Sequence, residues 1–106
     1  MRAGIKIDTE SVGEGDLAKA GDRITIRLQV RLNRGDLVQD LSEYSFVLGK
    51  REVIAALDYG VEGMRVGGHR KFHAGPHLCY RNDGVADLIP PGAVLHFDIA
   101  LLAIEH

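Results

Sequence analysis

Arg23-Ile24-Thr25-Ile26-Arg27-Leu28-Gln29-Val30-Arg31-Leu32 alternates without a break. Ile24, Ile26, Leu28, Val30 and Leu32 fall on one side, and Arg23, Thr25, Arg27, Gln29 and Arg31 on the other. A period of two places successive side chains on opposite faces of a strand, so this stretch predicts one buried face and one wet, cationic face. A wet face points to an antiparallel sheet solvated on one side. Asn33-Arg34-Gly35-Asp36 follows as a turn, and Leu37 to Gln39 reads as a short return strand.

The alternation recurs at the other end. Leu95, Phe97, Ile99, Leu101 and Ala103 alternate with His96, Asp98, Ala100 and Leu102. Its second half is apolar on both sides, which predicts a central strand covered on both faces. Ile5 and Ile7 mark a short early strand, Ser45 to Leu48 another, and Arg70 to Ala74 a further one closed by Gly75-Pro76. One segment favours helix. In Glu52 to Val61, Val53, Leu57 and Val61 recur at helical spacing beside Ile54, with Gly60 and Gly63 ending the run. Such a short helix persists only when packed. Val12 to Gly21, with Gly13, Gly15 and Gly21, reads as a loop. Strands and helix do not alternate as βαβ units, so the fold class is α+β, with an antiparallel sheet and one helix on one face.

The chain has 106 residues, 45% hydrophobic and 26% charged, which fits a single globular domain over residues 1–106. Lys and Arg number 13 against 15 Asp and Glu, for a net charge of −2, so no basic excess favours nucleic acid. No apolar run approaches the ~20 residues that span a bilayer, and Met1 to Glu10 has no signal-like core. The single cysteine, Cys79, has no internal disulfide partner and reads as a small packed side chain. A cytoplasmic monomer is the expectation.

Chemistry is scarce in the sequence. His69, His73 and His77 recur every fourth residue, but glycines and Pro76 make the segment a strand and turn. On a strand His69 and His73 stand ~13 Å apart, beyond shared coordination, so no metal and no cofactor is expected. Gly13-Glu14-Gly15 lacks the strand–helix context of a phosphate loop. Asp8 and Glu10 read as solvated carboxylates. No nucleophile sits in a recognisable setting.

Three segments remain: Leu48-Gly49-Lys50-Arg51-Glu52-Val53-Ile54, Gly63-Met64-Arg65-Val66-Gly67-Gly68-His69-Arg70-Lys71, and Leu88 to Asp98 with its Ile89-Pro90-Pro91. With Gly21-Asp22 ahead of the long strand and Tyr80 between the last two segments, their order and spacing resemble the FKBP-type peptidyl-prolyl cis-trans isomerases. The resemblance runs from about Gly4 to the end. It implies an antiparallel half-barrel of about five to six strands wrapped around one short helix, and an apolar pocket between them. The implied reaction is rotation about X–Pro bonds, with proline-containing peptides or unfolded chains as partners in protein folding. That rotation faces a barrier of ~18–20 kcal/mol and takes tens to hundreds of seconds uncatalysed. A dry apolar pocket that fits the twisted imide needs no covalent chemistry.

By the same resemblance Val53 and Ile54 line the pocket, with the Ile54 N–H donating to a substrate carbonyl. Tyr80 offers its hydroxyl to another. Phe97 and Ile89 wall the proline ring, and Tyr44 is an aromatic wall. Tyr80, Ile54 and Phe97 are thereby the implied catalytic residues. Leu28, Val38, Gln39 and Leu57 stand where the family usually has Tyr, Phe, Asp and Trp, and Arg81 where it has Gly. Aromatic faces contribute ~0.5–1.5 kcal/mol each, so losing three weakens binding by ~2–4 kcal/mol, or ~30- to 1,000-fold. This predicts a slow isomerase that binds macrolide-type inhibitors poorly. The alternative is a catalytically weak or inactive module of the same fold that binds a proline-containing or apolar segment of a partner. The Arg81 to Leu88 loop is short, with no inserted chaperone domain.

Overall fold

A computed structural model describes residues Gly4 to Glu105. Five strands, β1 (Ile5–Ser11), β2 (Arg23–Leu32), β3 (Leu37–Val47), β4 (His69–Ala74) and β5 (Leu95–Glu105), form one antiparallel sheet in the order β1-β4-β5-β2-β3. One helix, α1 (Ala55–Val61), packs on its inner face, and a 3-10 turn spans Pro76–Leu78. Among the described residues no helix is long and apolar enough to cross a membrane.

The alternation of β2 becomes the core. Ile24, Ile26, Leu28, Val30 and Leu32 are all buried, joined by Phe72 and Ala74 of β4 and by Leu95, Phe97, Ile99 and Leu101 of β5. Phe72 and Phe97 face each other across the strands and stack, their centroids 4.9 Å apart. The helix lies so close that a Cβ on Gly60 would come within 2.1 Å of the Phe72 ring. Gly60, in the last turn of the helix, is therefore also its point of closest contact with the sheet.

Four expectations change. Leu37–Gln39 and Ser45–Leu48 belong to one strand, β3, whose pairing with β2 slips twice, near Val38 and near Ser42-Glu43. The slips erase period two from the sequence. β5 is central, paired to β4 and β2, but among the described residues no element covers its outer face, and Leu102 is 43% exposed. The helix begins at Ala55 rather than Glu52, because Ile54 is its N-cap with φ −59° and ψ 151°. Before it, Arg51 is left-handed at φ 58° and the Glu52 carboxylate accepts the Val47 N–H at 3.0 Å, which commits Glu52 to the loop. Lastly, Glu10 is not simply solvated. The β1–β4 register jumps at Asp8, so Ile7 faces Phe72 while Glu10 faces Arg70. The extra residue reverses the parity of β1 and turns Glu10 toward the core side.

There it meets Arg70, only 4% exposed. Arg70 donates from Nε to Glu10 Oε2 at 2.7 Å, and from Nη1 to the carbonyls of Gly60 (2.7 Å) and Glu62 (3.0 Å). These carbonyls end α1, where an intrahelical partner is lacking and a cation is favoured. Removing one member of a buried ion pair costs ~3–5 kcal/mol because the other charge is stranded. Arg70→Ala is expected to lose about that much in urea unfolding, and Arg70→Lys less. An Arg70→Ala midpoint within error of the parent would show the clamp to be idle.

Candidate functional site

Between α1 and the β2–β3 end of the sheet lies a groove of about 240 Å³. Leu28 of β2 and Leu57 of α1 are its buried floor. Tyr44, Val53 and Ile54 are half-buried walls, and Gln39, Glu52 and Tyr80 complete the lining. Seven of the residues singled out from the sequence thus meet in one place. Their local structure explains it. Leu28 and Tyr44 project from inward-facing positions of paired strands, Tyr44 opposite Ile26 and 5.8 Å from the Phe46 ring. Leu57 faces inward from the first turn of α1. Ile54, as N-cap, contributes a backbone N–H that precedes the helix and takes no part in its ladder.

Three expected residues do not line the groove. Val38 sits at the β3 slip and packs beside the core. Phe97 is buried beside Phe72, against which its ring stacks. Ile89 is buried at the root of the Tyr80–Leu88 loop, where its N–H and carbonyl both pair with Val85 at 2.8 Å. Glu52 is the lining residue the sequence reading omitted. Its place beside Val53 in the Leu48–Ile54 segment was the available signal.

Tyr80 is set by that loop. Its carbonyl accepts the N–H groups of Asp83 (3.2 Å) and Gly84 (3.1 Å). Burial, then the neighbouring Cys79 and Tyr44, pushes its phenol above the ordinary tyrosine range, so it stays a hydrogen-bond donor through neutral and mildly alkaline pH. Burial likewise pushes the Cys79 thiol up to about 11, and its Sγ lies 3.9 Å from the Ala74 carbonyl, which fits a packed side chain rather than a nucleophile. Among the lining residues only Glu52, Tyr44 and Tyr80 can ionise. The groove therefore offers an apolar floor, a backbone donor, two phenols, the Gln39 amide and the Glu52 carboxylate.

A larger depression, about 980 Å³, shares Val53 and is lined by Lys19, Arg51, Asp58, Tyr59 and Arg81 among others. Asp58 is buried and accepts the N–H groups of Gly49 (3.0 Å) and Arg51 (3.2 Å), which fixes the loop before α1. This depression is charged and wide, unlike the smaller groove.

Residues 15–102 match the sequence profile of the FKBP-type peptidyl-prolyl cis-trans isomerases. The chain is similar to FK506-binding protein 4 of Neurospora crassa, 41% identical over 105 residues, covering 96% of this chain and 22% of that protein. It is similar to the 39 kDa FK506-binding nuclear protein of Drosophila melanogaster, 37% identical over 109 residues, covering 99% of this chain and 30% of that protein. It is also 34% identical over 108 residues to FK506-binding protein 3 of Yarrowia lipolytica, covering 99% of this chain and 26% of that protein. The chain belongs to the FKBP-type peptidyl-prolyl cis-trans isomerase family. It spans less than a third of the length of these curated relatives.

One departure from the family pattern has a structural reading. Arg81 holds φ 51°, the left-handed region where a Cβ is strained, while its N–H donates to Pro76 at 2.8 Å and its carbonyl accepts from Gly92 at 2.6 Å. The fold keeps the backbone shape a glycine would take freely. A non-glycine there costs ~1–3 kcal/mol, and glycine returns ~0.5–1 kcal/mol of that through the unfolded chain. Arg81→Gly is expected to raise unfolding stability by about 1 kcal/mol. A loss of stability in the same melt would contradict this.

Proposed function

We propose that the groove catalyses cis–trans rotation of X–Pro bonds without forming a bond to the substrate. The observation that carries this is the convergence of an apolar floor, the free N–H of Ile54 and the protonated hydroxyl of Tyr80 in one small groove. Its volume is below the ~300–1,000 Å³ of pockets that enclose drug-sized ligands, and it suits one ring rather than a macrocycle. In the planar amide the C–N bond is partly double, and twisting removes that resonance. The apolar floor of Leu28 and Leu57 favours the less polar, twisted imide over the planar one. The Ile54 N–H and the Tyr80 O–H hold the flanking carbonyls so that rotation occurs about one bond. Proline-containing segments of flexible or unfolded chains are the substrates this reading assigns.

A second reading, a binding module with little turnover, is favoured by Leu57. An aliphatic floor gives up the aromatic face that the family usually presents there, and Gln39 gives up its carboxylate.

Exchange NMR or a protease-coupled assay on a set of X-Pro tetrapeptides separates the two readings. Wild type is expected to accelerate exchange above background. Tyr80→Phe is expected to lose ~2- to 12-fold, the worth of one hydrogen bond, and Leu57→Trp to gain. No acceleration by wild type on any peptide would sink the enzyme reading. Activity seen only in Leu57→Trp would favour the binding module.

The raised phenol pKa sets the pH dependence. The donor form persists below its folded pKa, which lies above the ordinary 10. The turnover parameter kcat/KM is expected to stay level from pH 7 to about 10 and fall only beyond it. A decline centred well below pH 10 that vanishes in Tyr80→Phe would contradict the assignment.

A further inference from the structure

The sheet's outer face carries a cluster the isomerase groove does not use. Asp8, His73 and His96 each offer a ligand atom, all within 4.8 Å of one another. Three separate features of the fold assemble it. His73 and His96 are directly opposed in the β4–β5 register, their rings 5.2 Å apart. Asp8 is the extra residue of the β1 bulge, and both its carboxylate oxygens lie near His73 Nδ1, at 3.0 and 3.1 Å. His96 Nε2 lies 2.8 Å from Asn33 Oδ1, in the turn after β2. Donation by Nε2–H to that oxygen fixes the tautomer in which His96 Nδ1 keeps its lone pair. A metal-bound imidazole ordinarily has such a partner on its other nitrogen.

We infer that Asp8, His73 and His96 form a binding site for a divalent transition-metal ion, with water in the remaining positions. Zinc at ~2.0–2.2 Å from each donor sets its ligands ~3.3 Å apart, so the half-exposed side chains close by small rotations. The donor set selects the kind of ion. Two imidazoles and one carboxylate suit zinc, nickel or copper, whereas magnesium and calcium require oxygen ligands. The neighbouring charge is cationic and opposes any bound cation. Lys6 lies opposite His73 and Arg31 opposite His96, although the Arg31 guanidinium turns to the Gly35 carbonyl at 3.1 Å. Binding at this site therefore has to come from the imidazole nitrogens and the Asp8 carboxylate rather than from the surrounding field. The spacing of His69, His73 and His77 along the chain does not reveal the site. The ligands that converge come from three strands, Asp8 from the bulge of β1, His73 from β4 and His96 from β5.

The test is titration of the whole, untagged chain with zinc chloride by calorimetry, and with cobalt(II) by visible absorption. One ion per chain is expected, with a cobalt spectrum that zinc abolishes. His73→Ala and His96→Ala are expected to remove this binding, and Asn33→Ala to weaken it ~10- to 100-fold through loss of the orienting hydrogen bond. His69→Ala, outside the cluster, is expected to leave it unchanged. Circular dichroism checks that each variant is folded, which the exposed position of these side chains favours. Absence of binding by the wild type, or binding that survives both histidine variants, would overturn the assignment.

Discussion

The Arg70 guanidinium is the point on which the arrangement turns. A helix as short as α1 cannot hold itself together in water. Its conformation is imposed by the sheet beneath it and by what meets its ends. At the start, Asp58 reaches back to two loop N–H groups. At the end, Arg70 binds the Gly60 and Glu62 carbonyls while Glu10 neutralises it. Packing completes the constraint, since Gly60 lets the helix settle directly on Phe72. The groove inherits its geometry from this. Leu57 faces the sheet, and Ile54 presents its N–H at the helix entrance, only because α1 is fixed at both ends.

Irregularities in the strands matter as much as the regular pairing. The β1 bulge turns Glu10 inward to Arg70 and leaves Asp8 outward beside His73, so one extra residue serves both faces of the sheet. The two slips in β3 shape the groove. They keep Gln39 and Tyr44 at its lining and put Val38 aside. The glycine-rich Val12–Gly21 stretch, which has no phosphate-loop context, has a comparable role. A Cβ on Gly13 would lie 2.3 Å from the Val66 carbonyl, so the chain there runs backbone against backbone.

Elements with strict period two were legible in the sequence. Ile24 to Leu32 of β2 and Leu95, Phe97, Ile99 and Leu101 of β5 are buried as their alternation requires, because each residue has one fixed side, whereas Ala103, expected on the same face, is exposed beyond the shift in the β2–β5 register. β3 was not legible as one strand, since its slips put polar and apolar residues out of phase. The outer face of β5 was misread because Ala100 and Leu102 are apolar without being covered. Motif order rather than chemistry singled out Leu28, Gln39, Tyr44, Val53, Ile54, Leu57 and Tyr80, and these seven line one groove. Phe97 and Ile89 were harder. Strand patterning and loop closure bury them for stability, and sequence alone does not separate a wall residue from a core residue.

The central claim is that the small groove, and not the charged depression beside it, receives the proline. Titration of the isotope-labelled chain with a short X-Pro peptide, followed by amide NMR, tests it most directly. The largest shifts are expected on Ile54, Leu57 and Tyr80, with little change at Lys19 and Gly49 across Val53. Shifts centred on Lys19, Gly49 and Arg51, with Ile54 and Tyr80 unmoved, would contradict it.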